Sequence, residues 1–256
     1  MKTLVLASGE GTRMRPLTEY INKNMIPIDG KPVLEHIVEH LRNYGFVDIV
    51  MAVGVFKQQV MNYFGDGKRW NVNIEYSESA ESQGTVGELA RAKAYFENEE
   101  DFLVYYGDTL TATNLRKFYQ YHKQHRGIIT LNGIMGLPIE TGIIECEERP
   151  VSPPSFPPYT GGFPLRKVTA YKEKISLEVI TSIPVFFCAN EILKSKNIQK
   201  GKDFSYDVIP EFVAKGAVFL YIEDANYHYD VGTLDRLRKV SETFKLGRVG
   251  IEKTIK

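Results

Sequence analysis

The sequence predicts an α/β fold in which helices cover a mostly parallel sheet. Short apolar runs typical of buried strands, beginning with Thr3–Ala7, alternate with amphipathic segments such as Val33–Tyr44. Strands and helices that alternate in this way form parallel sheets with right-handed crossovers. The chain has 256 residues, of which 43% are hydrophobic, and this is enough to bury a sizeable core. We therefore expect one domain spanning residues 1–256.

The individual elements follow from apolar periodicity and from local start and stop signals. Pro32 fits the first turn of the helix Val33–Tyr44, and Gly45 ends it. A glycine-bearing loop beginning at Gln83 opens a helix that runs to about Phe96, with Thr85 as the expected N-cap. Further strands are expected at Asp48–Val53, Asn73–Tyr76, Phe102–Tyr106, Ile128–Leu131, Pro184–Cys188 and Val218–Ile222. Further helices are expected at Phe56–Phe64 and Asn114–His125, from Asn190, at Asp207–Lys215 and at Leu234–Leu246.

The second half of the chain is less regular than the first. Gly142–Cys146 and Lys167–Tyr171 have the pattern of antiparallel strands. They flank a proline-rich insertion at residues 147–166, in which the stretch Arg149–Pro164 carries six prolines and two glycines. Residues 247–256 are expected to form a frayed basic tail.

A glycine-punctuated loop follows the first strand and spans Leu6–Thr18. Gly9 and Gly11 permit positive φ and close approach of the backbone to a ligand, so successive N–H groups can bind an anion. Arg13 and Arg15 add positive charge. A strand that opens into such a loop indicates a nucleotide site at the carboxyl edge of an α/β sheet.

Two familiar phosphate-binding loops do not fit this stretch. Met14 stands where the dinucleotide fingerprint requires a third small residue. A P-loop would need Gly-Lys-Ser or Gly-Lys-Thr, but Thr12 and Arg13 follow Gly11. For the loop taken alone, a tight turn with surface arginines is the plain alternative.

Charge and cysteine content limit the expected partners. Acidic and basic residues balance at 32 each, which argues against binding to nucleic acid or to an anionic membrane. Cys146 and Cys188 are the only cysteines, too few for a disulfide scaffold, and no spacing suggests a zinc site. No apolar stretch approaches the ~20 residues of a membrane span. We expect a soluble protein in the reducing cytoplasm.

Several charged residues are predicted to meet at the carboxyl edge of the sheet. The strand Phe102–Tyr106 is expected to be central and to deliver Asp108 there, beside Gly107. Two carboxylates and several cations around a phosphate-binding loop fit metal-assisted phosphoryl or nucleotidyl transfer, because Mg²⁺ prefers oxygen ligands. The predicted set is Arg13, Lys23, the Gln83-Gly84 loop, Asp108, Lys174 and Asp230.

This arrangement resembles the sugar-1-phosphate nucleotidylyltransferases, also called nucleoside-diphosphate-sugar pyrophosphorylases. The order and approximate spacing of the motifs match over nearly the whole chain. The similar segments are the opening loop Leu6–Thr18, the lysine segment with Lys23, Met25, Pro27, Gly30, Lys31 and Pro32, the base-side loop Gly84–Gly87, Gly107-Asp108, Glu173-Lys174 and Asp230–Thr233.

The resemblance implies a Rossmann-like, three-layer nucleotidyltransferase domain with a smaller antiparallel region on the substrate side. It implies that a nucleoside triphosphate, UTP or dTTP, reacts with a sugar 1-phosphate to give a nucleoside diphosphate sugar and pyrophosphate, with Mg²⁺ as cofactor and no covalent enzyme intermediate. No nucleic acid or membrane partner is implied, and a homo-oligomer is compatible with it. The implied roles are catalytic for Arg13 and Lys23; nucleotide-binding for Ala7, Ser8, Gly9, Gly11, Thr12, Gln83, Gly84 and Thr85; sugar-phosphate-binding for Gly142, Glu173 and Lys174; and metal-binding for Asp108 and Asp230.

Some positions depart from the family pattern. Asn22 and Asn24 flank Lys23 where prolines are usual, which predicts a less restrained backbone. Ile175 replaces a proline, and Thr181–Pro184 replaces an Asn-Ala-Gly segment, so the sugar contacts stay open. For Gly142, a simple bend in a strand is an equal alternative. Two other functions also stay open: a silent regulatory subunit that senses nucleotide sugars, and cytidylyl or guanylyl transfer to another phosphorylated acceptor such as phosphocholine.

Overall fold

A computed structural model describes residues 1–81, 83–125, 127–138, 143–146, 168–172, 176–222 and 227–245. The strands in these ranges are β1 Lys2–Ala7, β2 Pro27–Ile28, β3 Lys31–Pro32, β4 Asp48–Val53, β5 Asn73–Glu78, β6 Asp101–Tyr106, β7 Thr109–Thr111, β8 Ile129–Pro138, β9 Ile143–Cys146, β10 Val168–Lys172, β11 Ser176–Ala189, β12 Val218–Ile222 and β13 His228–Asp230. The α-helices are α1 Val33–Asn43, α2 Lys57–Phe64, α3 Gly84–Ala92, α4 Leu115–Lys123, α5 Lys196–Lys200, α6 Ile209–Ala214 and α7 Leu234–Lys245.

The main sheet has seven strands in the order β12-β8-β11-β6-β1-β4-β5. β1 runs parallel to β4 and to β6, β4 runs parallel to β5, and β8 runs parallel to β12. β11 is antiparallel to β6, with Val185 opposite Tyr105. The prediction of an α/β fold with a mostly parallel sheet is confirmed, and β6 is central as expected.

The central strands β1 and β6 are buried on both faces, as expected for parallel strands covered by helices. The neighbouring residues Leu4 and Val5 of β1 point to opposite faces, and both are fully buried. α1 and α7 pack on the face of Val5, whereas α3 and α6 pack on the face of Leu4. The helices cover the two faces of the sheet. Functional side chains can therefore lie where the strands end.

The chain packs as two units, Met1–Ile134 with Ser182–Lys256 and Met135–Thr181. Within the second unit, β9 and β10 pair in antiparallel fashion, as predicted, with Ile144 opposite Tyr171. The proline-rich insertion at 147–166, Gly142 and the tail at 247–256 fall outside the described residues. A single domain over 1–256 stays a prediction. Among the residues that are described, no helix is long and apolar enough to cross a bilayer.

Two predicted helices differ in detail from those observed. The helix expected from Asn190 is a 3₁₀ helix, Asn190–Lys194, followed by α5, whose first turn is capped by Ser195 Oγ accepting from Asn197 N at 3.1 Å. The helix expected at Asp207–Lys215 begins earlier, as a π-helical turn at Phe204–Val208, and continues as α6. Such turns are rare, and they often occur at functional sites.

The N-cap predicted for α3 is wrong. Gln83 occupies the cap position, without a capping hydrogen bond from its side chain. The Thr85 hydroxyl instead accepts a hydrogen bond from Phe204 N at 3.0 Å. The Thr85 side chain, which the local sequence assigned to the start of the helix, instead binds the distant Phe204 backbone.

His40 is a buried histidine on α1, and its burial should make the protein less stable in acid. The neutral ring of His40 donates from Nε2 to the Thr113 carbonyl at 3.0 Å and accepts from the Tyr105 hydroxyl at Nδ1 at 3.2 Å. Burial lowers the pKa of His40 from 6.5 to about 4. Below pH 6.5 the unfolded chain therefore binds a proton that the folded chain excludes until about pH 4, so acid favours unfolding.

We expect the free energy of unfolding, measured with urea, to fall by about 2 kcal/mol more between pH 7 and pH 5 in the native protein than in the variant His40→Gln. Glutamine can keep one donor and one acceptor at this position without titrating. Equal pH dependence of the two proteins would contradict a neutral buried His40.

Candidate active site

A cavity of about 460 Å³ opens at the carboxyl edge of the main sheet. It lies where β1 and β6 end, where the antiparallel strand β11 passes the same edge, and beside the N-terminus of α3. Its lining residues are Leu6, Ser8, Gly9, Arg13, Lys23, Gly84, Thr85, Glu88, Tyr106, Asp108, Ser182, Pro184, Ser205 and Asp230.

The glycine loop after β1 is held in place from within the protein. Gly11 has a left-handed backbone with φ of +66°, and its carbonyl accepts from the Thr18 hydroxyl at 2.8 Å. A 3₁₀ helix, Thr12–Met14, follows, and the Met14 side chain is buried in the core. Met14 is too large for a dinucleotide-binding fingerprint, and the same large side chain anchors the loop on the core.

Lys23 runs beneath this loop to the end of β6. A Cβ atom added at Gly11 would lie 2.9 Å from Lys23 Cβ, and one added at Gly9 would lie 3.4 Å from Lys23 Nζ. Lys23 Nζ donates to Asp108 Oδ2 at 2.6 Å, and both side chains are only 17% exposed. The two glycines therefore leave room for a shielded ammonium group beside the cavity.

The asparagines that flank Lys23 restrain the backbone, contrary to our prediction. Asn22 Nδ2 donates to the Val55 carbonyl at 2.8 Å, and Asn22 Oδ1 accepts from Asn24 N at 2.9 Å. Asn24 Nδ2 donates to the Ala7 carbonyl at 3.2 Å. Both asparagines are buried, so hydrogen bonds supply the restraint that prolines would otherwise give.

Asp108 and Asp230 converge on Gly232. A Cβ atom added at Gly232 would lie 2.8 Å from Asp230 Oδ1, 3.0 Å from Arg13 Nη2 and 3.6 Å from Asp108 Oδ2. Gly232 N donates to Asp230 Oδ1 at 2.7 Å, and Arg236 pairs with Asp230 Oδ2. Two carboxylates and the Arg13 guanidinium thus surround one small volume.

The donor set of this volume fits Mg²⁺. Mg²⁺ usually takes one or two carboxylates and completes its octahedron with phosphate oxygens and water. The carboxylates of Asp108 and Asp230 lie close together in space, beside Gly232, and could both bind the ion. Within the described ranges, no group of three or more histidine, cysteine, aspartate or glutamate side chains is placed to hold a metal ion. The geometry therefore suits a cation shared with a phosphorylated ligand rather than a closed protein site.

The wall beside α3 is built from two distant segments. Val86 N donates to the Lys202 carbonyl at 3.2 Å, and Phe204 N donates to Thr85 Oγ1. A Cβ atom added at Gly84 would lie 2.1 Å from the Lys202 carbonyl oxygen. Glycine at position 84 is required both by its φ of +75° and by this close approach.

We expect Gly84→Ala to lower the free energy of unfolding by about 3 kcal/mol, because the new methyl group forces the two segments apart. Gly30→Ala is a matched control: φ there is +78°, but nothing lies within 4 Å of an added Cβ atom. The control should cost only about 1 kcal/mol, the penalty of the left-handed backbone. Equal losses in urea unfolding would show that the contact with Lys202 contributes nothing.

Two side chains of the cavity wall, those of Glu88 and Tyr106, were not predicted from the sequence. The Glu88 carboxylate is almost fully buried and accepts from Gln83 N at 3.4 Å, while Arg91 pairs with it at 3.3 Å. Burial raises the pKa of the Tyr106 hydroxyl, so this group stays protonated near neutral pH. Tyr106 immediately precedes Gly107-Asp108, and this position was the available signal for it.

The structure brings most of the predicted site residues together. The predicted residues that line the cavity are Ser8, Gly9, Arg13, Lys23, Gly84, Thr85, Asp108 and Asp230. The predicted residues that do not line it are Ala7, Gly11, Thr12 and Gln83. Gly142, Glu173 and Lys174, which were predicted to bind the sugar phosphate, lie outside the described residues.

Comparison with known proteins agrees with this geometry. The sequence profile of the family described as "Nucleotidyl transferase" matches residues 2–245. A UTP–glucose-1-phosphate uridylyltransferase from Synechocystis sp. is 28% identical over 91% of this chain and 60% of its own length. A mannose-1-phosphate guanylyltransferase from Mycobacterium tuberculosis is 27% identical over 90% of this chain and 60% of its own length. The chain therefore spans about three-fifths of the length of these two relatives.

Solved structures show the same fold. HddC from Yersinia pseudotuberculosis superposes with a TM-score of 0.70 at 20% identity, covering 95% of this chain and 99% of its own. A Bacillus anthracis structure assigned as a glucose-1-phosphate thymidylyltransferase also gives 0.70, at 16% identity, covering 97% of this chain and 96% of its own. The resemblance inferred from the motifs is confirmed, because the family profile spans nearly the whole chain. The chain belongs to the nucleotidyl transferase family.

Proposed function

We propose that this chain transfers a nucleotidyl group from a nucleoside triphosphate, UTP or dTTP, to a sugar 1-phosphate in a Mg²⁺-dependent reaction. The products are a nucleoside diphosphate sugar and pyrophosphate. The observation that supports this best is the convergence of Arg13, Lys23, Asp108 and Asp230 on a cavity beside the glycine loop.

The proposed reaction is a single in-line displacement. An oxygen of the sugar phosphate forms a bond to the α-phosphorus of the triphosphate. The bond from that phosphorus to the oxygen bridging to the β-phosphate breaks, and pyrophosphate leaves with the electron pair. The attacking oxygen is already ionised at neutral pH, so no general base is needed. In keeping with this, no histidine is found among the described residues that line the cavity.

Two cations would offset the repulsion between the anionic substrates. The Arg13 guanidinium and the Lys23 ammonium both reach the cavity, and preorganised donors of this kind stabilise charge that develops on the α-phosphate and on the leaving group. Lys23 is held by Asp108 at 2.6 Å, so it is oriented before substrate binds.

Asp108 and Asp230 would hold Mg²⁺, which neutralises phosphate charge when bound. Oxygens of both carboxylates lie near one point beside Arg13, and Asp108 also contacts Lys23. On the acceptor side we assign the sugar phosphate to Gly142, Glu173 and Lys174 by family resemblance. Among the described residues, Ser182 and Pro184 of β11 line the cavity that contains Arg13 and Lys23. A cytoplasmic location and self-association into a homo-oligomer stay predictions.

A substrate panel tests this function. Pyrophosphate release should be measured with Mg²⁺ and each pairing of UTP, dTTP, GTP, CTP or ATP with glucose, N-acetylglucosamine or mannose 1-phosphate, and with phosphocholine. We expect release only when both substrates are present, with UTP or dTTP and a hexose 1-phosphate. GTP and mannose 1-phosphate are included because a guanylyltransferase is among the relatives.

Three outcomes would contradict the proposal. Folded protein that releases no pyrophosphate with any pair, yet is stabilised against heat by a nucleotide sugar, would favour the sensing subunit. Turnover confined to phosphocholine would change the acceptor class. Release from a triphosphate alone would indicate hydrolysis instead of transfer.

A further inference from the structure

The segment Lys202–Phe204 forms two hydrogen bonds with the first turn of α3. The Lys202 carbonyl accepts from Val86 N at 3.2 Å, and Phe204 N donates to Thr85 Oγ1 at 3.0 Å. The same carbonyl fills the space above Gly84. The position of Gly84 and Thr85 in the cavity wall therefore depends on the conformation of this segment.

One carboxylate fixes that conformation. Asp207 Oδ2 accepts from Lys202 N at 2.7 Å and from Asp203 N at 2.8 Å. Asp207 N donates in turn to the Asp203 carbonyl at 2.9 Å, and the Asp207 carbonyl accepts from Asn197 Nδ2 at 2.8 Å. The backbone N–H groups of Asp203 and Lys202 also hold the pKa of the Asp207 carboxyl below its usual range. Asp207 itself does not line the cavity.

The π-helical turn places this carboxylate and a cavity residue in one rigid unit. Asp207 lies in the turn Phe204–Val208, together with Ser205, which lines the cavity. Phe204 and Val208 of the same turn are fully buried, so the turn is anchored on the core. A change at Asp207 should thus release Lys202 and Asp203, whose N–H groups its carboxylate binds, while the anchored turn stays in place.

We propose that Asp207 is a positioning residue for the nucleotide: by holding the Lys202–Phe204 segment, it sets the geometry of Gly84 and Thr85, where the nucleoside triphosphate binds. This inference rests on the proposed function, because it takes the Gly84–Thr85 wall to be the nucleotide side of the cavity. It predicts an effect on nucleotide affinity that is separable from sugar phosphate binding and from fold stability.

The test compares three variants of the whole chain. Asp207→Ala removes both acceptor bonds, whereas Asp207→Asn keeps an oxygen acceptor without the charge. Glu211→Gln is the matched control: it lies one helical turn further on, and its carboxylate binds Ser195 and Lys215 rather than the Lys202–Phe204 segment. Thermal unfolding reports stability, calorimetry reports binding of UTP and dTTP with Mg²⁺, and initial rates give the KM for each substrate.

We expect Asp207→Ala to weaken nucleotide binding and to raise the KM for the triphosphate about tenfold, with the KM for the sugar phosphate and kcat within about twofold of the native values. Asp207→Asn should fall between native protein and Asp207→Ala, and Glu211→Gln should bind nucleotide like native protein. Equal changes in both KM values, or equal effects of Asp207→Ala and Glu211→Gln, would overturn the inference and leave Asp207 a purely structural residue.

A double-mutant comparison sharpens the result. Thr85→Val removes the acceptor for Phe204 N but keeps the contact of the Lys202 carbonyl with Val86 N, so the two substitutions together should weaken nucleotide binding by less than the sum of their separate effects. If the losses of nucleotide affinity from the two substitutions were fully additive, Asp207 would not act through the contact between Phe204 and Thr85. Turnover without an effect of Asp207→Ala defeats this inference alone. Nucleotide binding that depends on Asp207 without any turnover defeats the proposed function alone.

Discussion

Replacing Asp108 or Asp230 by asparagine is expected to lower kcat by about a thousandfold or more, with the fold intact. Each substitution removes a charged oxygen ligand from the volume around Gly232, where both carboxylates lie within 4 Å of one point. Mg²⁺ held there would keep only one of its two negatively charged protein ligands and would bind less tightly, so the charge on the phosphates would be less well neutralised. The measurement is pyrophosphate release at saturating substrates and Mg²⁺.

Asp235→Asn is the matched control for this pair of variants. Asp235 is exposed in the first turn of α7, five positions after Asp230, and it does not line the cavity. It should retain near-native turnover. Thermal unfolding of all three variants checks that loss of turnover is not loss of fold. Near-native rates for Asp108→Asn or Asp230→Asn would refute the assignment of that residue to the metal.

The second large effect is expected for Lys23→Met, which should lower kcat/KM by about a hundredfold. Methionine keeps most of the side-chain length beneath Gly9 and Gly11 but removes the ammonium group that contacts Asp108. The variant therefore separates charge from packing. The fall in kcat/KM would be measured from initial rates of pyrophosphate release with the best substrate pair.

Lys31→Met serves as the control for Lys23→Met, because Lys31 belongs to the same lysine-bearing segment and pairs with Glu39, away from the cavity. It should leave kcat/KM within about twofold of native. If the two variants lost activity equally, the ammonium of Lys23 would have no special part in the reaction.

Much of this site could be predicted because its residues are placed by local structure. β1 ends directly in the glycine loop, and β6 ends directly before Gly107-Asp108, so parallel neighbours carry both to one edge. The apolar runs were sufficient to predict that these strands are buried. Their alternation with helices was sufficient to predict that they run parallel.

Other features could not be read from local sequence because distant segments create them. Thr85 was assigned to the N-cap of its own helix, but Phe204, 119 positions away, uses its hydroxyl. Asn22 and Asn24 suggested a loose backbone, yet their amides reach the Ala7 and Val55 carbonyls. Side-chain hydrogen bonds of this kind depend on tertiary contacts that periodicity does not encode.

The cavity wall formed by β11 shows the same limit. Ser182 and Pro184 line the cavity because β11 runs antiparallel to β6, so the residues just before Val185 lie at the edge where β6 ends. A sequence pattern can suggest a strand there but not its direction. The departure from the family pattern at Thr181–Pro184 therefore falls, in part, on the cavity wall itself.

The most direct test of the account follows the α-phosphate. Native protein with Mg²⁺, a sugar 1-phosphate and UTP or dTTP labelled with ³²P at either the α- or the γ-position should transfer the α-label to a nucleoside diphosphate sugar and release the γ-label as pyrophosphate. Recovery of the γ-label as inorganic phosphate, with the α-label left in the nucleoside diphosphate, would instead reveal hydrolysis and contradict nucleotidyl transfer at this cavity.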